Sequence, residues 1–344
     1  MTLIKRIKKL QRNLKTPLLV RNPNDLFYLT GHSLSDGGFL FISKKHIVLF
    51  GGFLEQIPHI KSDFLSNIAK YLGSNKVLHL DDHISLREIE LIKKHLPRKT
   101  LKPISSPLVQ MRVYKDTEEL SKMRTAYSIT IKVFELAKKE LHKPKSLSER
   151  ELAGFIRLTG LKLGADDISF PVIVASGANA AIPHHVPTDK KINTGESIIL
   201  DFGFKVSGYC SDFTRTVFIK AIPKNLEEIY TATEEAYQLA IKSISLGVTG
   251  KSADLVAREH LEKYGYEKYF IHSLGHGTGI EVHESPSISY KSEDLLKNGM
   301  VFSIEPGVYI PKIGGVRIED LIYLEKGKPT YLKKVSTNLK DMII

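Results

Sequence analysis

Two hairpin-like segments, each with two carboxylates inside apolar strands, constrain this 344-residue sequence more than any other feature. Asp201 and Asp212 lie in ESIILDFGFKVSGYCSDFTRTVFI, and Glu305 and Glu319 lie in SIEPGVYIPKIGGVRIEDLIYL. The β-branched and aromatic residues around them favour buried strands. Because an unpaired carboxylate is costly to bury, four of them in such strands require neutralising cations.

The turn of the first segment predicts how its two aspartates face each other. The tripeptide VSG suits a tight connection, since Gly208 is free to adopt a positive φ. A turn centred on Val206 and Ser207 places Asp201 directly opposite Asp212, with Cβ atoms about 4.5–5.5 Å apart. Like charges at that distance destabilise a sheet unless something neutralises them.

In the second segment, Glu305 and Glu319 flank a Pro- and Gly-rich loop centred on Lys312, and we expect them to be cross-strand neighbours. A third segment, FIHSLGHGTGIEVHE, supplies imidazoles in a glycine-rich setting: His272, His276 and His283. Four carboxylates with at least one imidazole are typical of Mn²⁺, Co²⁺, Fe²⁺ or Zn²⁺, and not of a thiolate zinc site. Two divalent cations would balance the four carboxylates and could bridge a hydroxide nucleophile.

Cysteine content and hydropathy bear on the compartment. The only cysteine is Cys210, so an intramolecular disulfide is impossible and a reducing, cytoplasmic location is expected. No apolar run approaches the roughly 20 residues that span a bilayer. The basic N-terminus lacks the apolar stretch of a secretory signal and predicts an amphipathic helix instead. We therefore expect no membrane partner.

The net charge of +12 is high enough to invite a nucleic-acid partner. Its lysines, however, are scattered along the whole chain as isolated pairs, and no arginine-rich helix or interleaved aromatic stripe is present. This dispersal favours a solvated, lysine-rich surface. We expect no nucleic-acid partner.

The length predicts two domains. The start of a long helical pattern at Asp116 places the boundary after residue 114. Residues 1–114 alternate short strands with helices and predict a small α/β domain. Residues 115–344 open with a long helix capped by Asp116 or Thr117, whose region ends at Pro144. Ser148 and Glu151 form a capping box for the next helix. Antiparallel hairpins follow, which predicts an α+β domain.

One motif mimics a nucleotide site. The stretch SLGVTGKS ends like a phosphate-binding loop, but it has Ser245 where the pattern requires glycine, and a helix precedes it. We interpret Ser252 as the N-cap of the helix that follows.

The motifs DFG, SDFTRT, GHG, IEPG and RIED occur in this order, and together they resemble those of the pita-bread-fold metallopeptidases. Within that family the chain is similar to the branch of prolidases (Xaa-Pro dipeptidases) and Xaa-Pro aminopeptidases. The stretch NDLFYLTGHS resembles part of that branch's creatinase-like N-terminal domain. The resemblance implies an α+β fold with a creatinase-like α/β domain over 1–114 and a pita-bread catalytic domain over 115–344.

The resemblance also implies a set of five metal ligands: Asp201, Asp212, His276, Glu305 and Glu319. In the family, the residue matching Asp201 holds one metal alone, and those matching Asp212 and Glu319 bridge both metals. The residues matching His276 and Glu305 complete the second site. Glu305 would also deprotonate the nucleophilic water as a general base.

Outer residues are implied in the same way. His184 and His283 would handle protons near the scissile nitrogen and stabilise the oxyanion, whereas His272 would shape the pocket for proline. Arg317 would support the site through hydrogen bonds or charge pairing. Because His185 adjoins His184, either could be the active-site histidine, although we expect His185 to be a solvent-facing loop residue.

The implied function is hydrolysis of Xaa-Pro bonds in dipeptides or short peptides by a metal-bridging hydroxide. The alternatives are an Xaa-Pro aminopeptidase acting on longer peptides and a non-catalytic binding protein on the same fold. The resemblance further implies a homodimer and two divalent metal ions, Mn²⁺ first, with Co²⁺, Zn²⁺ or Fe²⁺ as alternatives.

Overall fold

Residues 3–34, 38–51, 57–143 and 146–344 are described by a computed structural model. Contacts divide the chain into two units, Met1–Arg112 and Val113–Ile344, so the division lies two residues before the predicted boundary. Pro144, the predicted end of the long helical region, lies outside the described residues. Across the described ranges, no helix combines the length and apolar character that crossing a membrane requires.

The first unit contains a six-stranded mixed sheet in the order β4-β3-β2-β1-β5-β6. Its strands are β1 (Leu18–Val20), β2 (Phe39–Ile42), β3 (Ile47–Phe50), β4 (Lys61–Asp63), β5 (Val77–Asp81) and β6 (Thr100–Ile104). Strands β2 and β3 form an antiparallel pair, and Lys44 and Lys45 lie in the turn between them. Every residue of β1 and β2 is buried, which explains their continuous apolar sequence.

Short helices complete this unit: α1 (Leu3–Asn13), α2 (Pro23–Thr30), α3 (Ile68–Leu72), α4 (Leu86–His95) and α5 (Pro107–Arg112), with a 3₁₀ turn at Leu65–Asn67. The predicted amphipathic α1 buries Ile7 and Leu10. Helix α4 begins at a capping box in which Ser85 Oγ accepts from the Glu88 N–H. The alternation of strands and helices confirms the predicted α/β unit.

Within the described part of the second unit the helices are α6 (Thr117–Leu141), α7 (Glu149–Lys162), α8 (Lys224–Ser243), α9 (Gly250–Lys263) and α10 (Leu339–Met342). Asp116 caps α6 and Ser148 caps α7, both through the predicted capping boxes. The Ser252 prediction was wrong, because Thr249 Oγ1 accepts from the Ser252 N–H and starts α9 earlier. Two 3₁₀ turns lie at Gly177–Ala181 and Glu267–Tyr269.

The strands of this unit pair only antiparallel among the described residues, in four small sheets ordered β11-β10-β7, β12-β9-β8, β14-β13-β15-β18-β19 and β16-β17. Their bounds are β7 (Asp167–Ile168), β8 (Ile173–Ser176), β9 (Ile198–Asp201), β10 (Phe204–Val206), β11 (Tyr209–Cys210), β12 (Thr214–Val217), β13 (Gly275–Gly277), β14 (Glu284–Ile288), β15 (Val301–Ile304), β16 (Gly307–Ile310), β17 (Gly314–Arg317), β18 (Asp320–Glu325) and β19 (Lys328–Tyr331). The predicted α+β class is confirmed.

The register of the first hairpin differs from the prediction. Ser207 and Gly208 both adopt positive φ, +49° and +77°, which makes them the two central residues of the turn. The ladder therefore pairs Asp201 with Thr214. Asp212 lies two residues before Thr214, so it is a diagonal neighbour of Asp201 and not its direct partner. The error arose from allowing only Gly208 a positive φ.

The second hairpin keeps its predicted register. Ile304 pairs with Asp320, and the next step of the same register places Glu305 opposite Glu319. Lys312, at the centre of the connecting loop, has a φ of +67°. The two glutamates thus lie in the short unpaired stretch between the β15–β18 and β16–β17 ladders.

Candidate metal centre and active site

One cavity of about 570 Å³ in the second unit brings the predicted site residues together. Its wall includes every predicted ligand and outer residue: His184, Asp201, Asp212, His272, His276, His283, Glu305, Arg317 and Glu319. These residues are up to 135 positions apart in sequence, and the ends of the small antiparallel sheets converge on the cavity.

Close backbone packing explains the glycines on either side of His276. A Cβ atom at Gly275 would lie 2.0 Å from the Ser303 carbonyl oxygen, and one at Gly277 would lie 2.1 Å from the Ser285 carbonyl oxygen. Only glycine allows β13 to approach both neighbouring segments this closely. The GHG motif thereby holds the His276 backbone between β14 and β15, with its imidazole in the cavity.

The His276 ring is oriented as in a typical metal-binding histidine. Its Nδ1 lies 3.1 Å from the Gly277 carbonyl oxygen and can donate a hydrogen bond to it. Its Nε2 faces carboxylates, 3.2 Å from Glu305 Oε1 and 3.6 Å from Asp212 Oδ2. Fixing one ring nitrogen through a backbone carbonyl leaves the other available for a cation.

The donor atoms fit divalent cations. Ligand atoms of Asp212, His276 and Glu319 lie within 4.8 Å of one another. Asp201 Oδ1 and Glu319 Oε1 are buried with no hydrogen-bond partner among the described residues. Buried carboxylate oxygens without donors are costly unless a cation satisfies them. This set of oxygens plus one imidazole nitrogen matches the donors that Mn²⁺, Fe²⁺, Co²⁺ and Zn²⁺ accept.

Electrostatics leads to the same conclusion. Burial, followed by the charges of neighbouring carboxylates, raises the pKa of Asp212 and of Glu319 well above the usual range. Burial also raises the pKa of Asp201, although the charge of Arg317 opposes the rise. Carboxylates this crowded hold protons unless cations take their place.

Glu305 and His276 form an ion pair within this cluster. Burial opposes ionisation of both groups, but their mutual hydrogen bond and charge interaction outweigh it. The pKa of Glu305 is lowered to about 2, and that of His276 is raised to about 9. In this pair the Glu305 carboxylate is ionised, which is the form that a cation ligand requires.

Thr214 fixes the orientation of Glu319 and was not singled out from the sequence. Its Oγ1 donates to Glu319 Oε2 at 2.7 Å, while its backbone carbonyl accepts from the Glu319 N–H at 3.0 Å. Its position in SDFTRT, two residues after Asp212, is a signal that could have identified it, because alternate strand residues share a face.

Arg317 links Asp201 to a buried tyrosine. One guanidinium nitrogen contacts the Asp201 carboxylate, and another donates to Tyr309 Oη at 2.6 Å. The Tyr309 hydroxyl also lies 2.8 Å from His272 Nε2, to which it can donate. Burial raises the pKa of Tyr309 to about 12 and keeps it protonated. No sequence pattern singles out Tyr309, because it resembles any other aromatic residue in a strand.

Two of the predicted outer histidines are exposed to solvent. They are His184 and His283, and both lie on the wall of the cavity. The His283 ring packs 4.3 Å, centroid to centroid, from the His276 ring. His185 was expected to face solvent, and that prediction was wrong. Its side chain is buried because its Nε2 bonds the buried Glu149 carboxylate at 2.8 Å.

A buried ion pair lies next to Glu319. Arg215 Nη2 donates to both carboxylate oxygens of Asp320, at 3.0 and 2.8 Å, and neither side chain is exposed. Arg215 Nη1 donates to the backbone carbonyl of Glu319 at 2.7 Å. This pair, 105 residues apart in sequence, was not predicted.

Much of the remaining wall of the cavity is apolar, formed by Phe170, Pro171, Val172, Ile173, Pro183, Val186, Pro187 and Val282, with His185, Ser273, Gly275 and Ser287 completing it. A polar cluster beside an apolar wall is the usual composition of a small-ligand site.

Comparisons with known proteins agree with this geometry. The model of metallopeptidase family M24 matches residues 121–326. The Xaa-Pro dipeptidase of Pyrococcus furiosus is 34% identical over 343 residues, covering 97% of this chain and 98% of the relative. The solved Xaa-Pro dipeptidase from Bacillus anthracis has a TM-score of 0.93 at 30% identity, with both chains fully covered. The X-Pro aminopeptidase from Thermotoga maritima has a TM-score of 0.88 at 30% identity, covering 97% of this chain and 99% of that one.

The family match exceeds half of the chain, and the relatives align over nearly its whole length. The chain therefore belongs to metallopeptidase family M24, and it is a pita-bread-fold enzyme of the branch formed by the Xaa-Pro dipeptidases, or prolidases, and the Xaa-Pro aminopeptidases.

Proposed function

We propose that this metallopeptidase hydrolyses the Xaa-Pro bond of dipeptides or short peptides with two divalent metal ions. The observation that carries the proposal is the meeting of four carboxylates and the His276 Nε2 in one cavity, where two buried carboxylate oxygens have no donor among the described residues. Two divalent cations would neutralise the carboxylates, and relatives of this length carry the name Xaa-Pro dipeptidase.

Each ligand has a proposed place. Asp201 would hold one ion alone, Asp212 and Glu319 would be shared by both ions, and His276 with Glu305 would complete the second site. When bound, two such cations lower the pKa of a shared water and polarise the scissile carbonyl. Thr214 donates a hydrogen bond to Glu319 Oε2 only, and Oε1 has no hydrogen-bond partner among the described residues. Glu319 therefore keeps an oxygen free to bind a cation, as a ligand shared by two ions would need.

Glu305 is the proposed general base. Its carboxylate lines the cavity beside His276, so it can orient the attacking water and accept its proton. Ser303 Oγ donates to Glu305 Oε1 at 3.1 Å and limits the freedom of this side chain. This role requires only that Glu305 keep its present position.

His184 and His283 are the proposed groups for the leaving nitrogen and the oxyanion. Both are exposed at the cavity, so they can approach a bound peptide from the solvent side. A prolyl nitrogen must gain a proton as the bond breaks, and an imidazole can donate it near neutral pH. His272, held by Tyr309, and Arg317 are proposed to shape the proline-side pocket and support Asp201.

Dipeptidase activity is the first proposal, and Xaa-Pro aminopeptidase activity is the alternative. Similar solved structures carry both names. We also propose Mn²⁺ as the first candidate metal, with Co²⁺, Zn²⁺ or Fe²⁺ as alternatives, a homodimeric state and a cytoplasmic location. The donor set supports the metal candidates, and the single, buried Cys210 agrees with a reducing compartment.

Hydrolysis of an Xaa-Pro dipeptide and an Xaa-Pro-Yaa tripeptide, compared after chelation and after metal is added back, tests the proposal. Glu305→Gln removes the base, and the exposed Glu325→Gln is the matched control. Cleavage of the dipeptide alone supports a dipeptidase, whereas release of the first residue from the tripeptide supports the aminopeptidase. If the folded, metal-loaded protein cleaves neither peptide, the proposed function is wrong.

A further inference from the structure

The segment that carries His184 needs an external anchor. Residues 182–188, called the His184 segment below, lie outside helices and strands and contain Pro183 and Pro187, which cannot donate backbone hydrogen bonds. Its backbone bonds are mostly local, such as His185 N–H to the Ile182 carbonyl at 3.2 Å. The position of the His184 side chain therefore depends on contacts made by its neighbours.

One buried carboxylate provides those contacts. Glu149, the first residue of α7, has a fully buried side chain. Its Oε1 accepts from the Ser176 N–H and hydroxyl, both at 2.8 Å. Its Oε2 accepts from the Thr188 N–H at 3.1 Å and hydroxyl at 2.8 Å, and it lies 2.8 Å from His185 Nε2. Asn179 Nδ2 donates to both oxygens.

Ser176 and Asn179 precede the His184 segment, whereas His185 and Thr188 lie within it, so one anion fixes four points of the chain between residues 176 and 188. Burial disfavours the charged form, but the hydrogen bonds from His185, Thr188 and Asn179 outweigh burial and lower the pKa of Glu149 to about 2. The carboxylate therefore accepts all of these bonds at neutral pH.

The two adjacent histidines have different environments. His185 is only 9% exposed, and its Nε2 is engaged by Glu149. His184 is exposed on the cavity wall. An imidazole already bonded to a buried carboxylate is suited to holding the chain, whereas an exposed imidazole at the cavity is suited to meeting a substrate.

We propose that Glu149 and His185 are positioning residues that form a buried anchor and fix the His184 segment so that His184 faces the substrate. This proposal rests on the proposed function for the role of His184. The anchoring itself is a property of the fold and can be measured without substrate.

Hydrogen exchange of the full-length protein, read by mass spectrometry, measures the anchoring directly. In Glu149→Gln the carboxamide offers one acceptor oxygen and turns an NH₂ group toward donors. We expect peptides covering 177–188 to exchange at least about tenfold faster, with peptides from β13 and β15 unchanged. Glu151→Gln is the matched control, since it lies on the same helix and glutamine still completes a capping box. Unchanged exchange in Glu149→Gln, or equal acceleration in the control, would overturn the proposal.

A milder variant covers the case in which Glu149→Gln does not fold. Thr188→Val keeps the side-chain shape and removes one donor to Glu149. It should accelerate exchange in the same peptides by a smaller factor. If this variant folds and the segment exchanges as in the wild type, the anchor is refuted.

Kinetics of the metal-loaded enzyme test whether the anchor acts through His184. We expect Glu149→Gln to lower kcat about 10- to 100-fold, as small misplacements of a reacting group do. In a His184→Ala background the same change should cost less than about threefold. An equal loss in both backgrounds would show that the anchor does not act through His184.

His185 is tested by two substitutions. Gln places an N–H donor near the position of His Nε2, so His185→Gln should retain most of the kcat that His185→Ala loses. If both variants lose activity equally while His184→Ala stays active, His185 is the active-site histidine and the proposal is wrong. A wild-type enzyme that cleaves no Xaa-Pro peptide would refute the proposed function, and the exchange result would still decide the anchor.

Discussion

Replacing Asp320 with asparagine removes the acidic partner that the described residues provide for the fully buried Arg215. The Asp320 carboxylate accepts two hydrogen bonds from Arg215, one from Tyr127 at 2.7 Å and one from Tyr237 at 2.5 Å. Burial, followed by the Asp320 charge, raises the pKa of both tyrosines well above the usual value, so both remain donors. Asparagine has nearly the same shape but no charge.

The expected cost follows from the burial of both partners. Removing one member of a buried ion pair leaves an uncompensated charge and typically costs about 3–5 kcal/mol. The new amide also turns an NH₂ group toward a hydroxyl donor, which adds to the cost. We therefore expect Asp320→Asn to lower the free energy of unfolding by at least about 3 kcal/mol. Tyr127→Phe removes one bond to the carboxylate and should cost about 1.5–3 kcal/mol.

Urea denaturation followed by circular dichroism measures this cost in the chelated protein. The matched control is Asp189→Asn, which breaks an exposed pair in which Arg150 and Asp189 are 65% and 82% exposed. Exposed pairs contribute about 0–1 kcal/mol, so the control should scarcely change the midpoint. If Asp320→Asn loses less than about 1 kcal/mol, the reasoning that Arg215 depends on this carboxylate is wrong.

Three further predictions concern the anchor, the arginine and the metals. Glu149→Gln should lower the free energy of unfolding by about 3 kcal/mol at pH 7, because the folded-state pKa of Glu149 is about 2 against a usual 4.5. A carboxyl group whose pKa is lower in the folded than in the unfolded state stabilises the fold at pH values above its unfolded-state pKa. The difference in unfolding free energy between wild type and Glu149→Gln, measured by urea denaturation, should therefore shrink as the pH falls through 4.5 toward 2. A difference that stays constant with pH would contradict this prediction. Arg317→Lys should lower kcat at least tenfold, because an ammonium cannot reproduce the planar contacts to Asp201 and Tyr309. Wild-type kcat in that variant would contradict this. Metal at about 100 times its Kd should stabilise the chelated protein by about 2.7 kcal/mol per site, and an unchanged Tm would contradict it.

The sequence allowed the chemistry of the site to be predicted better than its geometry. Carboxylates inside apolar strands are so costly to bury that residue type alone predicted a cation site. The glycine-rich setting of His276 was visible in the sequence, and the structure shows the backbone contacts that require those glycines. Helix starts at Asp116 and Ser148 were predictable because capping is a local interaction.

Geometry that depends on backbone dihedrals or on distant residues was not predictable. The first hairpin was misregistered because Ser207, a non-glycine residue, adopts a positive φ in the turn. The burial of His185 depends on Glu149, which lies 36 residues earlier, and the Arg215–Asp320 pair spans 105 residues. Pairings over such separations leave no local pattern in a single sequence.

The most direct test of the central claim is a titration of Mn²⁺ into the chelated enzyme, with Xaa-Pro dipeptide hydrolysis measured at each step. Asp212 and Glu319 are proposed to be shared by two ions, so activity should rise until about two equivalents per chain are bound and then remain constant. Asp212→Asn should stay inactive throughout this range. Activity that survives chelation, or that is complete at one equivalent, would contradict a centre in which these residues hold two metal ions.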